Sequence, residues 1–147
     1  SVAALKVGQA AALRLLRDEV LGQPVLSSWQ ALLDYLRADM AHKTTERVRV
    51  LHLNSKNMLV RDEIMAEGSI DQAAVHPREV VRRAIDLGSA AIILVHNHPS
   101  GDPAPSRADI QLTRDIADAG KKLGIAVHDH IIIGADGHSS MRALGLL

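Results

Sequence analysis

The chain has 147 residues, a length that fits one domain with a hydrophobic core of its own. Its 17 Lys and Arg balance its 17 Asp and Glu, and its only aromatic residues are one Trp and one Tyr, so the basic surplus and the stacking side chains typical of nucleic-acid binding are missing. The lack of cysteine excludes disulfides and thiolate zinc sites, and with neither a signal peptide nor an apolar run of the roughly 18 residues that a membrane span needs, we expect a cytoplasmic protein with no membrane partner.

The sequence begins with two predicted helices. A dense apolar stripe flanked by basic residues predicts a helix over residues 1–21, which Gly22 and Pro24 end. Ser27 or Ser28 is then expected to cap a second helix. Because the chain starts abruptly inside the first helix, we expect it to be a fragment of a longer protein.

From about residue 46 the apolar pattern changes to the period of strands. The predicted strands cover 47–53, 58–65, 90–95, 125–133 and 138–141. The first two are joined by a hairpin signal at 54–57. The run 90–95 is apolar throughout, which is typical of a strand covered on both faces.

Two further helices separate these strands. Pro77 begins one and Gly88 ends it, while the other runs from Ser106 to Leu123 and is closed by Gly124. The inward face of the first is predicted to consist of Val80, Val81, Ala84 and Ile85. The whole order, αα followed by ββαβαββ, predicts an α/β fold with a mixed central sheet flanked by helices.

A possible metal site follows the buried strand. His96 and His98 are two residues apart, and because side chains i and i+2 of a strand point to the same side, both imidazoles can reach one metal ion at about 2.0–2.1 Å. Ser106 begins the next helix, and Asp109 in its first turn can supply an oxygen ligand. Two histidines, one carboxylate and an open position are typical of catalytic zinc.

Simpler explanations exist for each part of this pattern. Ser106 with Asp109 is also an ordinary helix-capping pair, and taken alone that is the commoner explanation. A second His-x-His, His128 and His130, shows that the spacing by itself is weak. The first pair is favoured by its conjunction with a buried strand and a downstream carboxylate. The letters HNH at 96–98 do not indicate an HNH nuclease, whose motif residues are spread over a ββα unit.

The combined pattern resembles the JAMM (MPN+) motif of zinc-dependent isopeptidases, and more narrowly the bacterial RadC family. The segments that carry the RadC resemblance are VHPREV at 75–80, HNHPSGDP at 96–103, DHIIIG at 129–134 and GLL at 145–147. The resemblance covers about residues 27–147, which we expect to be a JAB/MPN-like domain with the layering of cytidine deaminases. Residues 1–26 are similar to the end of the helix-hairpin-helix region that precedes this domain in RadC proteins, and are expected to be a helical arm.

The resemblance implies a zinc hydrolase of peptide or isopeptide bonds. It assigns one zinc ion per chain to His96, His98 and Asp109, and it assigns Ser106 to the tetrahedral intermediate. It assigns proton transfer with the zinc-bound water to Glu46. Glu46 rests on the resemblance alone, because spacing does not distinguish it from Glu63, Glu67 or Glu79.

Several alternatives stay open at this stage. Asn97 stands where eukaryotic JAMM enzymes have Ser or Thr, so their substrate preference is not transferred, and Val48 stands where RadC proteins often have an aromatic residue. Asp129 and His130 either orient the metal ligands or face solvent at a strand end. The rival functions are a DNA-repair-associated protein and an inactive JAMM-fold interaction module, whereas a zinc deaminase would need cysteine. We expect a peptide or protein substrate, no direct nucleic-acid binding and an undetermined oligomeric state.

Overall fold

A mixed five-stranded β-sheet forms the centre of the molecule. A computed structural model describes residues 2–25, 28–68 and 75–147. In chain order the elements are α1 (Val2–Val20), α2 (Trp29–Met40), β1 (Glu46–Leu53), β2 (Leu59–Gly68), α3 (Pro77–Asp86), β3 (Ala91–Asn97), α4 (Arg107–Lys122), β4 (Ala126–Ile133) and β5 (His138–Ser140). The predicted order of elements and the α/β class are confirmed. Within the described residues, no helix combines the length and the apolar character needed to cross a membrane.

The strands are arranged in the order β2-β1-β3-β4-β5. Among the described strands only the β3–β4 pair is parallel, and the other three pairs are antiparallel. Every residue of the central strand β3 is buried, because β1 and β4 flank it and helices cover both faces of the sheet. This explains the uninterrupted apolar run, and it means that a polar side chain at the end of β3 is held by a rigid element.

The two faces of the sheet carry separate hydrophobic clusters. Residues of α2 pack on one face against Leu51 and Ile93, and α3 and α4 pack on the other against Val50 and Leu94. Neighbouring residues of β1 and β3 therefore face opposite clusters, as the pleat of a strand requires. The boundary predicted between an arm at 1–26 and a domain at 27–147 stays a prediction, although Leu13, Leu16 and Val20 of α1 belong to or pack against the α2 cluster.

One local prediction is wrong, and one of the two serines proposed to cap α2 does not cap it through its side chain. Ile85 was expected to face inward, but 53% of it is exposed, because it lies about 100° around α3 from the buried Ala84 and beyond the edge of the buried stripe. Ser28 occupies the N-cap position of α2 without capping it: its hydroxyl donates backwards to the carbonyl of Pro24 at 2.8 Å. The alternative cap, Ser27, lies outside the described residues.

A buried arginine joins α2 to the sheet. Arg49 of β1 pairs with Asp39 of α2 and with Asp62 of β2, and it donates to the hydroxyl of Tyr35 at 2.9 Å. Burial alone would lower the pKa of Arg49, but the carboxylate of Asp62 raises it above its ordinary value. A buried charge of this kind is tolerated only because its partners satisfy it.

Candidate metal centre

The two histidines of the first His-x-His segment converge, as their spacing predicts. His96 is the penultimate residue of β3 and His98 follows directly after the strand. Their Nε2 atoms lie 2.8 Å apart, with His96 only 2% exposed. The rigid, buried strand thus presents two imidazole nitrogens to one point.

Asp109 reaches the same point from the first turn of α4. Its two carboxylate oxygens lie 3.1 Å from Nε2 of His96 and 3.0 Å from Nε2 of His98. Ser106 and Asp109 also form the predicted capping box: Asp109 N donates to Ser106 Oγ at 3.0 Å, and Ser106 N donates to Asp109 Oδ2 at 2.8 Å. The helix cap and the metal-site arrangement are therefore present together, and the cap fixes the direction of the carboxylate.

Glu46, the first residue of β1, lies beside His96. Its Oε1 is 3.8 Å from Nε2 of His96, and one of its oxygens lies within 4.8 Å of a ring nitrogen of each histidine. β1 places it there because Val48, two residues further on, pairs with His96 in the sheet. Glu63 and Glu67, which the sequence did not distinguish from Glu46, form ion pairs with arginines elsewhere on β1 and α3.

Asn97 holds the backbone on both sides of Glu46. Its side chain accepts a hydrogen bond from Arg47 N at 2.7 Å and donates to the carbonyl of Thr45 at 2.9 Å. The residue is buried and points away from the two histidines, as alternation along the strand requires. Sequence reasoning treated Asn97 only as a departure from a family pattern and missed this contact, which joins two segments 50 residues apart.

The loop after β3 orients His98. Nδ1 of His98 donates to the carbonyl of Asp102 at 2.9 Å. The loop packs closely on the end of β4, where a Cβ at Gly134 would lie 2.2 Å from the carbonyl oxygen of Gly101. Only glycine allows this approach, so Gly134 helps to set the position of the loop.

The second His-x-His segment divides between the two faces of the sheet. His130 is completely buried, and its Nε2 lies 2.6 Å from Nδ1 of His96, with its Nδ1 2.5 Å from Oγ1 of Thr113. Asp129 accepts from the backbone N–H of His130 and of Arg142 on the C-terminal turn. The solvent-facing alternative is therefore wrong for both, and only His130 touches a proposed ligand. Thr113 was not identified from the sequence, although its i+4 relation to Asp109 on a helix was an available signal.

The charges in this cluster favour an ionised Asp109. Burial raises the pKa of Asp109, but the contacts of its carboxylate with the imidazoles of His96 and His98 outweigh burial and hold that pKa well below its ordinary value. The hydrogen bond with Asp109 raises the pKa of His98. Burial, with the nearby His96 as a smaller cause, lowers the pKa of His130 to about 3, so this imidazole is neutral at physiological pH.

A cavity of about 650 Å³ opens over these residues. Its polar wall is formed by Glu46, His96, His98, Ser106 and Asp109. Its apolar wall includes Val48, Val75 and Leu112. A volume of this size and this mixture of apolar and polar walls are typical of ligand-binding cavities.

The donor set fits a zinc ion. Tetrahedral coordination at 2.0–2.1 Å separates ligand atoms by about 3.3 Å, close to the 2.8–3.1 Å between the atoms of His96, His98 and Asp109. Three protein ligands facing a cavity leave a position open, as catalytic zinc requires. Glu46 is further away, with Oε1 3.8 Å from Nε2 of His96, although one of its oxygens lies within 4.8 Å of a ring nitrogen of each histidine.

Comparisons with known proteins agree with this architecture. A sequence model of the family described as "RadC-like JAB domain" matches residues 26–146. A protein of Rhodobacter capsulatus named "UPF0758 protein" is 57% identical over 143 residues, which cover 97% of this chain and 67% of that protein. The range that the family model matches includes every residue of the candidate metal centre.

Proposed function

Because this chain belongs to the family of RadC-like JAB domains, we propose that it is a zinc-dependent hydrolase that cleaves peptide or isopeptide bonds. The observation that carries the proposal is the convergence of two imidazole nitrogens and one carboxylate at the cavity, with a separate carboxylate beside them. The name of the relative from Rhodobacter capsulatus specifies no activity, so the proposal rests on the site itself.

His96, His98 and Asp109 would hold the zinc ion. When bound at such a site, zinc supplies a Lewis acid that polarises a carbonyl and lowers the pKa of water to about 7. The protein contributes the arrangement of donors: β3 holds His96, the loop after β3 orients His98, and the cap of α4 holds Asp109. The rival interaction-module function is disfavoured, because a scaffold would not need this complete set.

Glu46 would transfer the protons of the reaction. In this role its carboxylate accepts a proton from the attacking water and then donates it to the nitrogen of the leaving amine. Such a base must be held within hydrogen-bonding reach of the reacting atoms, and the two hydrogen bonds of Asn97 to the peptide groups flanking Glu46 provide that restraint.

Ser106 would stabilise the oxyanion that develops on the scissile carbonyl. Its Oγ accepts a hydrogen bond from Asp109 N, which leaves the hydroxyl hydrogen for another acceptor. Ser106 lines the cavity, and among the described residues no side chain accepts that hydrogen. A donor fixed in this way before reaction is the usual means of stabilising an oxyanion.

The proposed partner is a peptide or protein segment. The apolar wall of the cavity can contact its side chains, while the polar wall surrounds the bond to be cleaved. The charge of the chain is balanced, without the basic surplus typical of proteins that bind a nucleic-acid backbone, so we propose no direct binding of nucleic acid.

The test combines zinc content with hydrolysis. The chain is purified without chelators, supplied with zinc and dialysed; its zinc is measured by elemental analysis, and cleavage of a library of linear and isopeptide-linked peptides is followed by mass spectrometry. We expect about one zinc per chain in the wild type and in Glu46→Gln, with cleavage lost in the variant by roughly 100-fold or more.

Glu79→Gln is the matched control. Glu79 is an exposed glutamate in the first turn of α3 and lies outside the cavity, so its variant should keep both zinc and cleavage. A wild-type chain that holds no zinc under these conditions would refute the proposal. So would a Glu46→Gln variant that cleaves as fast as the control.

A further inference from the structure

A third histidine lies behind the pair that would hold zinc. His130 of β4 contacts Nδ1 of His96, the ring nitrogen that faces away from the site, and Thr113 of α4 contacts the far side of His130. Neither His130 nor Thr113 lines the cavity, so neither can touch a substrate there. Any effect that they have on the site passes through His96.

The directions of the hydrogen bonds that link Thr113, His130 and His96 follow from the Thr113 hydroxyl. Oγ1 of Thr113 lies 2.7 Å from the carbonyl oxygen of Asp109, and since a carbonyl only accepts, Thr113 donates its single hydrogen there. The hydroxyl oxygen therefore accepts the remaining hydrogen bond, which comes from Nδ1–H of His130 at 2.5 Å.

A neutral imidazole carries one proton, so the other nitrogen of His130 is an acceptor. In the part of the chain that the structure describes, no carboxylate oxygen contacts either ring nitrogen of His130, which agrees with a neutral ring. Its Nε2 then accepts from Nδ1–H of His96 across 2.6 Å. Nε2 of His96 is left with its lone pair directed at His98 and Asp109.

We propose that Thr113 and His130 are positioning residues that set the tautomer of His96 and aim its Nε2 at the metal ion. The inference rests on the proposed function for the identity of that ion. His98 needs no such relay, because its Nδ1 donates directly to the carbonyl of Asp102 and that acceptor permits only one tautomer. The partner of His96 is another imidazole, which can donate or accept, and the Thr113 hydroxyl removes this ambiguity.

Loss of the hydroxyl has a definite consequence. Without an acceptor at its Nδ1, His130 is free to carry its proton on Nε2 and to donate to His96 Nδ1. The proton of His96 then moves to Nε2, where a zinc ion would have to displace it. Loss of a partner that orients a metal ligand typically lowers metal affinity 10- to 100-fold.

The first arm of the test reads the tautomers directly. Histidine ¹⁵N–¹H long-range correlation spectra are recorded on the metal-free and zinc-loaded wild-type chain. We expect protons on Nδ1 of both His96 and His130, and none on Nε2 of His130, in both forms. A proton on Nε2 of His130 in the wild type would overturn the inference.

The second arm measures zinc affinity by competition with a chromophoric chelator. Thr113→Val keeps the shape of the side chain but removes the hydroxyl, and is expected to bind zinc about 10- to 100-fold more weakly, with the proton of His130 moved to Nε2. Thr113→Ser restores the hydroxyl and should restore both the affinity and the tautomer. Equal affinity of Thr113→Val and the wild type would contradict the relay.

Ser89→Ala is the matched control. Ser89 is the hydroxyl partner of another buried histidine, His52, at 2.8 Å, and that pair lies at the opposite end of β1 from Glu46. The variant should lower stability without changing zinc affinity. If it weakened zinc binding as much as Thr113→Val does, the loss would reflect general destabilisation and the relay would be refuted.

The outcomes separate this inference from the proposed function. Zinc binding with the opposite tautomer of His130 would refute the relay and leave the hydrolase proposal intact. The expected tautomers in a chain that takes up no zinc would refute the hydrolase proposal and leave the positioning of His96 by Thr113 and His130 standing.

Discussion

The molecule contains two His-x-His segments on neighbouring parallel strands, and the histidine side chains of the two segments are oriented differently. His96 and His98, at the end of β3, follow a regular alternation and point to one place. His128 and His130 in β4 have the same spacing but point to opposite faces, because β4 bulges at this point: Ile92 pairs with Val127 and Ile93 with Asp129, which leaves His128 as the extra residue. Spacing therefore brings two side chains together only where the strand is regular.

The two halves of the divided segment have different surroundings. His130 joins the metal centre on the α4 face, whereas Nε2 of His128 donates to Oδ1 of Asn57 in the hairpin on the α2 face. The bulge thus supplies one histidine to the site and uses the other to attach the hairpin. A regular β4 would have placed both histidines on one face.

The residues between the histidines play similar parts in the two segments. Asn97 holds the backbone on either side of Glu46, and Asp129 holds the backbone of His130 and of Arg142, as well as the hydroxyl of Ser140 at 2.5 Å. Both point away from the metal centre and fasten a distant segment to the strand. The first fastens a catalytic candidate and the second fastens the C-terminal turn, so their loss should have different effects.

The largest expected difference is in zinc binding by the two pairs. His98→Gln removes a proposed ligand and should lower zinc affinity on the order of 100-fold or more, so that zinc is lost on dialysis. His128→Gln makes the same chemical change at the same position of the other segment and should keep about one zinc per chain. Elemental analysis of both variants checks this, and equal zinc content would abolish the distinction between the segments.

The next largest effect, a loss of kcat, is expected at Asn97, the residue between His96 and His98. Asn97→Asp keeps an acceptor for Arg47 N but replaces the donor to the Thr45 carbonyl with an oxygen that repels it. Glu46 should shift, and a displacement of the order of 1 Å can lower kcat roughly 10- to 100-fold. Zinc content should be unchanged, because Asn97 holds none of the ligands. Wild-type kcat in this variant would show that the two hydrogen bonds do not position Glu46.

A smaller effect is expected at the second intervening residue. Asp129→Asn removes a charge that accepts hydrogen bonds from two backbone N–H groups and from Ser140, and it turns an amide donor toward one of these donors. We expect the free energy of unfolding in urea to fall by about 1–2 kcal/mol. Zinc affinity should stay that of the wild type, since Asp129 faces away from the site. A variant that lost zinc without losing stability would reverse this assignment.

These contrasts show which features are encoded locally. Pro77 and Gly124 mark the ends of helices through their own backbone preferences, and the convergence of His96 and His98 follows from the alternation of a single strand. The bulge at His128 depends on the register with β3, so no spacing within β4 reveals it. Glu46 was identified only through the family resemblance, because 50 residues separate it from His96 and only sheet pairing brings them together.

The contacts of single side chains with distant backbone were the hardest to foresee. Ser28 satisfies the sequence preference for a helix cap, yet its hydroxyl finds the Pro24 carbonyl instead. Thr113 is an ordinary helix residue in the sequence, and the packing of α4 on β4 brings His130 against it. Such side-chain contacts depend on how the helices and strands pack, and the local sequence pattern does not specify that packing.

The smallest expected effect is the contribution of His128 to the pH dependence of the free energy of unfolding. Burial, and to a lesser degree Arg142, lowers the pKa of His128, so the fold favours its neutral form. A lowered pKa means that the stabilisation is present above the unfolded value of about 6.5 and is lost as the pH falls from there through the folded value. His128→Gln cannot titrate, so the wild type should lose more unfolding free energy than the variant between about pH 7.5 and 5. The difference should be below about 1 kcal/mol because solvent screens the partly exposed ring.

The lowered pKa values of His52 and His130 are common to both chains and cancel in the comparison. Urea unfolding of both chains at the two pH values, with chelator present throughout, measures this difference in unfolding free energy. Equal losses in the two chains would mean that the His128 imidazole is as well solvated in the fold as in the unfolded chain.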